Sequence, residues 1–253
     1  MKRSRAPDGV RLIAVGDVHG HLNYLDDLLA ALVRTPAPAA KNLRDRFVFL
    51  GDYIDRGPDS AGVIDRLIEL REAEAGSADG AVFLRGNHEE MMLRFLKDGD
   101  MRLGGAWIAN GGDETLRSYG VTPPADALDT ADFNRSRRDL DAALPPAHLH
   151  FLETLSLIHR DGDFIFVHAG LRPDVAVADQ DAKDMMWIRD TFLDSQYDFG
   201  GLVVHGHSPT PDPELHPNRI CVDTGAGKGG YLTAGLFWGT EKAFLHAGPR
   251  APY

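Results

Sequence analysis

The sequence has little cysteine and a deficit of positive charge, and each shortage excludes a class of protein. Cys221 is the one cysteine among 253 residues, so an internal disulfide and a zinc site built from several thiolates are excluded. Lys and Arg total 27 against 38 Asp and Glu, which gives a net charge of 27 − 38 = −11. An acidic chain offers no broad basic surface to nucleic acid or to an anionic membrane, so we expect neither partner.

Long hydrophobic runs are also missing. The apolar run Leu12–Val15 is too short for a signal sequence or a membrane span. Together with the single cysteine, this predicts a cytoplasmic protein. The chain shows no internal repeat and no obvious linker, so the sequence favours a single domain over residues 1–253.

Six short apolar runs have the length of buried strands, and each ends in a cluster of glycine with Asp, His or Asn. They are Leu12–Val15, Phe47–Leu50, Ala81–Leu84, Phe164–Val167, Leu202–Val204 and Ile220–Val222. In α/β folds, functional sites collect at the carboxyl ends of strands. The pattern therefore predicts an α/β fold with its site at one sheet edge.

Apolar stripes at helical spacing lie between some of these runs, and they predict helices that pack on the sheet. The stripes fall at 22–32, 63–70 and 89–97. Residues 98–160 differ, since they lack a clear strand and contain paired glycines and paired prolines. We interpret them as a largely helical insert between two halves of the sheet.

Six potential metal donors lie in the polar clusters that follow the predicted strands. They are Asp17, His19, Asp52, Asn87, His168 and His207. Each one alone is a weak signal, because single strand-end polar residues are common. Together they give three oxygen and three nitrogen donors, more than one cation needs, and so they predict a site for two divalent metal ions.

The pair His205 and His207 requires a choice, because both flank Gly206. His205 continues the apolar run, which predicts that it is packed in the strand. His207 follows the glycine, as Asp17 and Asp52 follow theirs, which predicts a ligand. The alternative in which both histidines bind metal stays open at this point.

The clusters resemble the metallophosphoesterase superfamily, specifically its bacterial serine/threonine protein phosphatase-like branch, which is related to the symmetrical dinucleoside tetraphosphatases. The matching motifs stand in the expected order as GDVHG (16–20), GDYIDRGPDS (51–60), RGNHE (85–89), FVHAGLRP (166–173) and VVHGHSP (203–209). The resemblance implies a four-layer αββα sandwich of α/β (α+β) class. It also implies the six ligands above, with Asp52 bridging the two metals.

The resemblance further implies roles around the reacting phosphate. It assigns His88 as general acid and Asp55 as the residue that orients it. Arg56 and Arg85 would lie near the phosphate, and the segment 186–190 resembles a loop that supplies a further arginine, Arg189. The segment 107–119 also resembles this branch, and we interpret it as packing.

The expected function is therefore that of a dimetal-dependent phosphatase acting on phosphomonoesters, above all phosphoserine or phosphothreonine in proteins. Attack would be in line, by a hydroxide held between the metals. The resemblance favours manganese, with iron or zinc as alternatives.

Two other functions are weighed against this one. The first is a symmetrical bis(5'-nucleosyl)-tetraphosphate hydrolase, which shares the motifs. The second is a non-catalytic metal-binding regulatory module, against which the intact His88, Asp55 and Arg56 argue. A nuclease is less favoured, because the acidic chain has no basic face.

Overall fold

A computed structural model describes residues 4–35, 43–74, 80–99, 101–126 and 129–249. Within these ranges the chain forms ten strands and nine α-helices. The strands are β1 (Val10–Val15), β2 (Arg44–Phe49), β3 (Val82–Phe83), β4 (Ile158–Asp161), β5 (Phe164–Val167), β6 (Leu202–His205), β7 (Glu214–Leu215), β8 (Arg219–Cys221), β9 (Leu232–Trp238) and β10 (Glu241–Ala247). None of the helices in the described ranges combines the length and the apolar character that spanning a membrane requires.

The helices flank the sheets and also fill most of the predicted insert. They are α1 (Leu22–Arg34), α2 (Ser60–Glu74), α3 (Asn87–Asp98), α4 (Met101–Trp107), α5 (Asp113–Ser118), α6 (Thr130–Ala143), α7 (Pro146–Glu153), α8 (Ala182–Trp187) and α9 (Asp190–Leu193). Residues Ile108–Gly112 join α4 to α5, and the chain kinks there because Gly111 leaves the helical conformation, with φ 102° and ψ 10°.

The strands form two five-stranded mixed sheets, ordered β10-β9-β1-β2-β3 and β4-β5-β6-β8-β7. In the first sheet β1, β2 and β3 run parallel, and in the second β5, β6 and β8 run parallel. The antiparallel strands lie outside these triplets. The polar clusters follow the parallel strands, so each sheet brings its clusters to one edge.

Alternation along the strands creates the layers. On β1, Ile13 faces the helical side of the first sheet, while Leu12 packs between the sheets with Phe166. On β5, Ile165 faces the other way and packs with Phe192 of α9. Because successive strand residues point to opposite faces, each sheet buries two apolar surfaces. The four-layer αββα arrangement predicted for the fold is confirmed.

All six predicted strands are present, as β1, β2, β3, β5, β6 and β8, and the three apolar stripes lie on α1, α2 and α3. Helices α4 to α7 lie within residues 98–160, but the last residues of that range begin β4, which the prediction missed. β4 reads Ile-His-Arg-Asp and lies at a sheet edge, where polar side chains replace an apolar run. The division into one domain with an insert stays a prediction.

Candidate active site

The loop after β2, residues 50–57 and here called the β2 loop, is fixed by main-chain and side-chain bonds. The Asp52 carbonyl accepts from the main-chain N–H of Val18 and His19, at 3.1 and 2.9 Å. The buried Glu89 carboxylate accepts from the N–H of Asp52 at 2.9 Å, of Tyr53 at 2.7 Å and of the α3 N-cap residue at 2.9 Å. One helix carboxylate therefore holds both the β2 loop and the start of α3.

Several candidate residues adopt backbone conformations that L-amino acids rarely occupy. The positive φ values are 48° at His19, 52° at Asp52, 75° at Asp55, 69° at Arg56 and 66° at His207. Such conformations persist where the surrounding structure enforces them, and they concentrate at functional sites. Five such residues in one cluster indicate that this edge of the sheets is a functional site.

Asp52 lies at the centre of the cluster, with an imidazole facing each of its oxygens. His19 Nε2 lies 3.7 Å from Oδ2, and His168 Nε2 lies 3.4 Å from Oδ1. Both histidines donate from Nδ1 to main-chain carbonyls, those of Ile54 at 3.0 Å and Leu50 at 2.9 Å. These bonds fix the tautomer and aim the Nε2 lone pair into the cluster, as metal-binding histidines require.

Two groups of donor atoms suited to a cation share Asp52. One contains His19, Asp52 and His88, and the other contains Asp52, His168 and His207. In the second group, Asn87 Oδ1 also lies 3.0 Å from His168 Nε2. A carboxylate with donors on both sides can bridge two cations, so the residues present fit two metal ions. The second group matches the predicted ligands, whereas the first contains His88 where the prediction has Asp17.

His207 sits at the tip of a three-residue turn, here called the β6 turn (Gly206–Ser208). The Ser208 N–H closes the turn on the Gly206 carbonyl at 2.8 Å, and the His207 N–H donates to Asp17 Oδ2 at 3.1 Å. A Cβ at Gly206 would lie 2.1 Å from Asp17 Oδ1, so only glycine lets this carboxylate approach. The Nε2 atoms of His207 and His205 are both buried without a hydrogen-bond partner among the described residues, but only His207 belongs to a group of donor atoms that could hold a cation.

His88 and Asp55 form the tightest contact in the site. His88 Nδ1 donates to Asp55 Oδ2 at 2.5 Å, which leaves Nε2 facing the cluster. Asp55 is fully buried and also accepts from Trp107 Nε1 at 2.9 Å and from Thr115 Oγ1 at 2.6 Å. The carboxylate is held on three sides, so it fixes the orientation of the imidazole.

The three predicted arginines are placed differently. Arg56 Nη1 lies 2.6 Å from His19 Nε2 and Arg56 Nη2 lies 3.0 Å from His88 Nε2, so its guanidinium lies inside the cluster. Arg189 is exposed, with Nη1 3.5 Å from Ser208 Oγ. Arg85 is bound to the last carbonyls of α7 and to Glu90, at 2.8 and 3.3 Å. These contacts hold Arg85 against the helices rather than the histidines, and its role at phosphate stays a prediction.

Burial and neighbouring charges shift the pKa values of the site histidines in different directions. Burial lowers the pKa of His19 and His168, and lowers that of His207 to about 2, so these rings are neutral and can act as ligands. Burial opposes the charged form of His88 too, but Asp52 and Asp55 outweigh it and raise its pKa. The shift of His88 therefore favours its protonated form, whereas the shifts of the other three histidines favour the neutral form.

Two features of the site were not assigned from the sequence. The segment 107–119 was interpreted as packing, but Trp107 and Thr115 hydrogen-bond to Asp55, so the interpretation was incomplete. Asp223 is buried against Asp17, and burial raises its pKa to about 6. The sequence pattern could have identified Asp223, because it directly follows the apolar run Ile220–Val222, as Asp52 follows its own strand.

Comparison with known proteins identifies the class of enzyme that this fold and site define. The family model for calcineurin-like phosphoesterases matches residues 10–229, and the chain belongs to this family of metal-binding phosphoester hydrolases. The chain is 25% identical to the asymmetrical bis(5'-nucleosyl)-tetraphosphatase PrpE of Oceanobacillus iheyensis, over 96% of this chain and 94% of that one. It is 27% identical to the PrpE of Anoxybacillus flavithermus, over 87% of each chain.

Solved structures share the fold at lower identity. A protein provisionally named a diadenosine tetraphosphatase superposes with a TM-score of 0.64 at 21% identity, covering 97% of this chain and 99% of that one. A serine/threonine phosphatase from Saccharomyces cerevisiae superposes with a TM-score of 0.55 at 15% identity, covering 97% of this chain and 81% of that one. At these identities the likeness concerns the fold alone.

Proposed function

We propose that the protein is a two-cation phosphohydrolase that cleaves dinucleoside tetraphosphates. The observation that carries the two-cation part is the position of Asp52, shared by two groups of donor atoms. Asp17 and His19 would hold one cation and Asn87, His168 and His207 the other, with Asp52 between them. When bound, the cations would acidify the attacking water and neutralise phosphate oxygens.

His88 donates the proton that the leaving group needs. Its Nδ1–H is committed to Asp55 at 2.5 Å, so the proton that can be transferred is on Nε2, which faces the cluster. Asp52 and Asp55 raise its pKa, which favours its protonated form. Arg56 lies within the same cluster and presents two N–H groups, which can bind two phosphate oxygens at once. Arg189, exposed beside the β6 turn, serves phosphates further along the chain.

The substrate class rests on the curated relatives, because the two described above are named asymmetrical bis(5'-nucleosyl)-tetraphosphatases and match nearly the whole chain. Asymmetrical cleavage adds water across one P–O–P bond and yields a nucleoside monophosphate and a triphosphate. We favour this over the symmetrical cleavage that the sequence offered as an alternative. The protein phosphatase prediction remains the competing hypothesis.

A metal-reconstitution experiment tests this proposal. Metal-depleted protein is re-supplied separately with Mn²⁺, Fe²⁺ or Zn²⁺ and assayed on diadenosine tetraphosphate, a phosphoserine peptide and p-nitrophenyl phosphate. We expect two bound ions per active chain, activation by Mn²⁺, and the highest kcat/KM on the dinucleotide with AMP and ATP as products. One ion per active chain contradicts the two-cation site, and faster cleavage of the phosphopeptide restores the protein phosphatase.

A further inference from the structure

An apolar groove of about 610 Å³ lies beside the candidate site, between α3, α4 and α8. The nearly buried Met91 and Met186 line its floor, and Leu103 also lines the groove. Trp187, the last residue of α8, forms the end nearest the histidines, since its ring centroid lies 6.3 Å from that of His207. One lining residue of the groove therefore reaches the candidate site.

Trp187 is 40% exposed, which is a large apolar surface to keep in water beside a polar site. Among the residues that the structure describes, the exposed large apolar side chains are Val33, Trp187, Tyr197 and Leu215. The ring contact with His207 ties Trp187 to the candidate site. An exposed aromatic face at the mouth of a polar site is suited to stacking against a ligand ring.

The chain geometry pairs this aromatic face with a cation. Ile188 is buried and extended, with φ −61° and ψ 143°, and it anchors the loop in the core of the second sheet. In an extended segment the residues on either side of Ile188 point the same way, away from that core. Trp187 and Arg189 are accordingly both exposed, so one loop presents an aromatic ring and a guanidinium together.

We propose that this groove binds one nucleobase of a nucleoside polyphosphate, stacked on Trp187, while Arg189 contacts the phosphate chain. The proposal rests on the proposed function, since it places the phosphates at the histidine cluster. Stacking on an aromatic side chain contributes to binding for any base, because every base has a π face. The methionine sulfurs of the floor add favourable contacts with an aromatic ring.

The charges around the groove fit an uncharged base better than a second anion. Glu90 lines the groove, and its carboxylate is bound by Arg94 at 2.7 Å and by Arg85 at 3.3 Å. Those cations are thus occupied by a carboxylate of the groove wall. Asp181 and Lys183 also line the groove, so its two acidic and two basic side chains give no net charge to attract an anion. A neutral aromatic group can occupy the apolar floor without displacing the pairs of Glu90.

The test compares substrates with and without a base in Trp187→Ala and Trp187→Phe. The readout is the ratio of kcat/KM for diadenosine tetraphosphate to kcat/KM for inorganic tetraphosphate. Because Trp187 contacts His207, a general disturbance of the site lowers both values and cancels in the ratio. We expect the ratio to fall roughly ten-fold or more in Trp187→Ala, mainly through KM, and to be largely retained in Trp187→Phe. Tyr197→Ala is the matched control, since this exposed aromatic contacts Phe199 and does not line the groove.

Titration with AMP, followed by tryptophan fluorescence, provides a readout that is independent of catalysis. We expect quenching in the wild type and its loss in Trp187→Phe. An unchanged ratio in Trp187→Ala overturns the groove assignment even if the dinucleotide is cleaved. A wild type that cleaves p-nitrophenyl phosphate but not the dinucleotide overturns the proposed function instead. In that case quenching by AMP still supports the base site, and its absence refutes it.

Discussion

The β2 loop and the β6 turn lie at the ends of strands in different sheets, and they are held in different ways. Side chains from helices fix the β2 loop, since Glu89 accepts from its N–H groups and Ser60 and Thr115 accept from Asp55 N–H at 3.0 and 2.9 Å. The β6 turn relies mainly on main-chain bonds, such as Gly206 N–H to His168 carbonyl at 2.8 Å.

The histidines that face the cluster reflect this difference. Asp55, on the β2 loop, binds His88 Nδ1 through its carboxylate, whereas the Nδ1 atoms of His19 and His168 donate to main-chain carbonyls. His207 Nε2 on the β6 turn has no hydrogen-bond partner among the described residues. A residue that moves a proton must be oriented and electrostatically adjusted by the protein, and the charged partner of His88 does both. A ligand needs only to be oriented toward the ion.

The strongest test of this contrast is to remove the imidazole of His88. In His88→Asn we expect turnover to fall by about two to four orders of magnitude, because the leaving group loses its proton donor. Metal content, measured by elemental analysis, stays near that of the wild type. The loss should be smaller with p-nitrophenyl phosphate than with phenyl phosphate, since nitrophenolate needs little protonation. Equal losses on both substrates, or loss of metal, would contradict the assignment.

The β6 turn provides the converse test, with His205 as the matched control. His207→Ala should weaken metal affinity by at least about ten-fold, as measured by competition with a chelator. His205 is fully buried in β6 and its Nδ1–H donates to the Gly206 carbonyl at 3.0 Å, so His205→Ala should keep most of the affinity. Equal loss of metal in both variants would show that both are ligands.

Removing a hydrogen bond to Asp55 should make the β2 loop less tightly held, as the β6 turn is. Trp107→Phe removes one donor to Asp55 while Thr115 and His88 remain, and we expect kcat to fall about ten-fold, the value of one hydrogen bond to a charged group. A positioning role predicts a larger loss with phenyl phosphate than with p-nitrophenyl phosphate. Trp238→Phe, on β9, is the control. If its loss and its substrate dependence match those of Trp107→Phe, the role given to Trp107 is wrong.

The smallest expected effect concerns stability. Glu89→Gln leaves one oxygen where two accept from the N–H groups of Asp52, Tyr53 and Gly86, so we expect unfolding in urea to show a loss of about 1–3 kcal/mol. Glu69→Gln removes an exposed pair with Arg66 and should change stability by less than about 0.5 kcal/mol. Comparable losses in the two variants would mean that Glu89 does not hold the β2 loop.

The sequence predicted those parts of the fold whose signals are local. The six strands that precede polar clusters were found because each combines an apolar run with a glycine-containing end. β4 was missed because edge strands carry polar residues, and β7 because it is only two exposed residues long. β9 was overlooked, although it is a nearly continuous buried run, because no polar cluster of the site follows it.

The residues of the site could be predicted from the sequence, but the hydrogen bonds that connect them could not. The positions of the donor residues follow from strand ends, so their convergence could be expected. The bond from Trp107 to Asp55 joins residues 52 positions apart across the insert, and no local pattern encodes it. Likewise the contacts of Glu89 with the β2 loop depend on how α3 packs against that loop, which no local pattern encodes.

The close approach of Gly206 to Asp17 has a consequence for engineering. Asp17 follows a strand of the first sheet and Gly206 a strand of the second, and Gly16 meets the second sheet as well, since a Cβ there would lie 2.5 Å from the Val222 carbonyl oxygen. The two sheets therefore make close contact next to the donor atoms, and the distance between the sheets affects the positions of those atoms. A stabilising redesign that enlarges side chains of the interlayer core, such as Val204, would part the sheets and carry Asp17 away from His207. Thermal tolerance gained in this way would come at the expense of metal affinity.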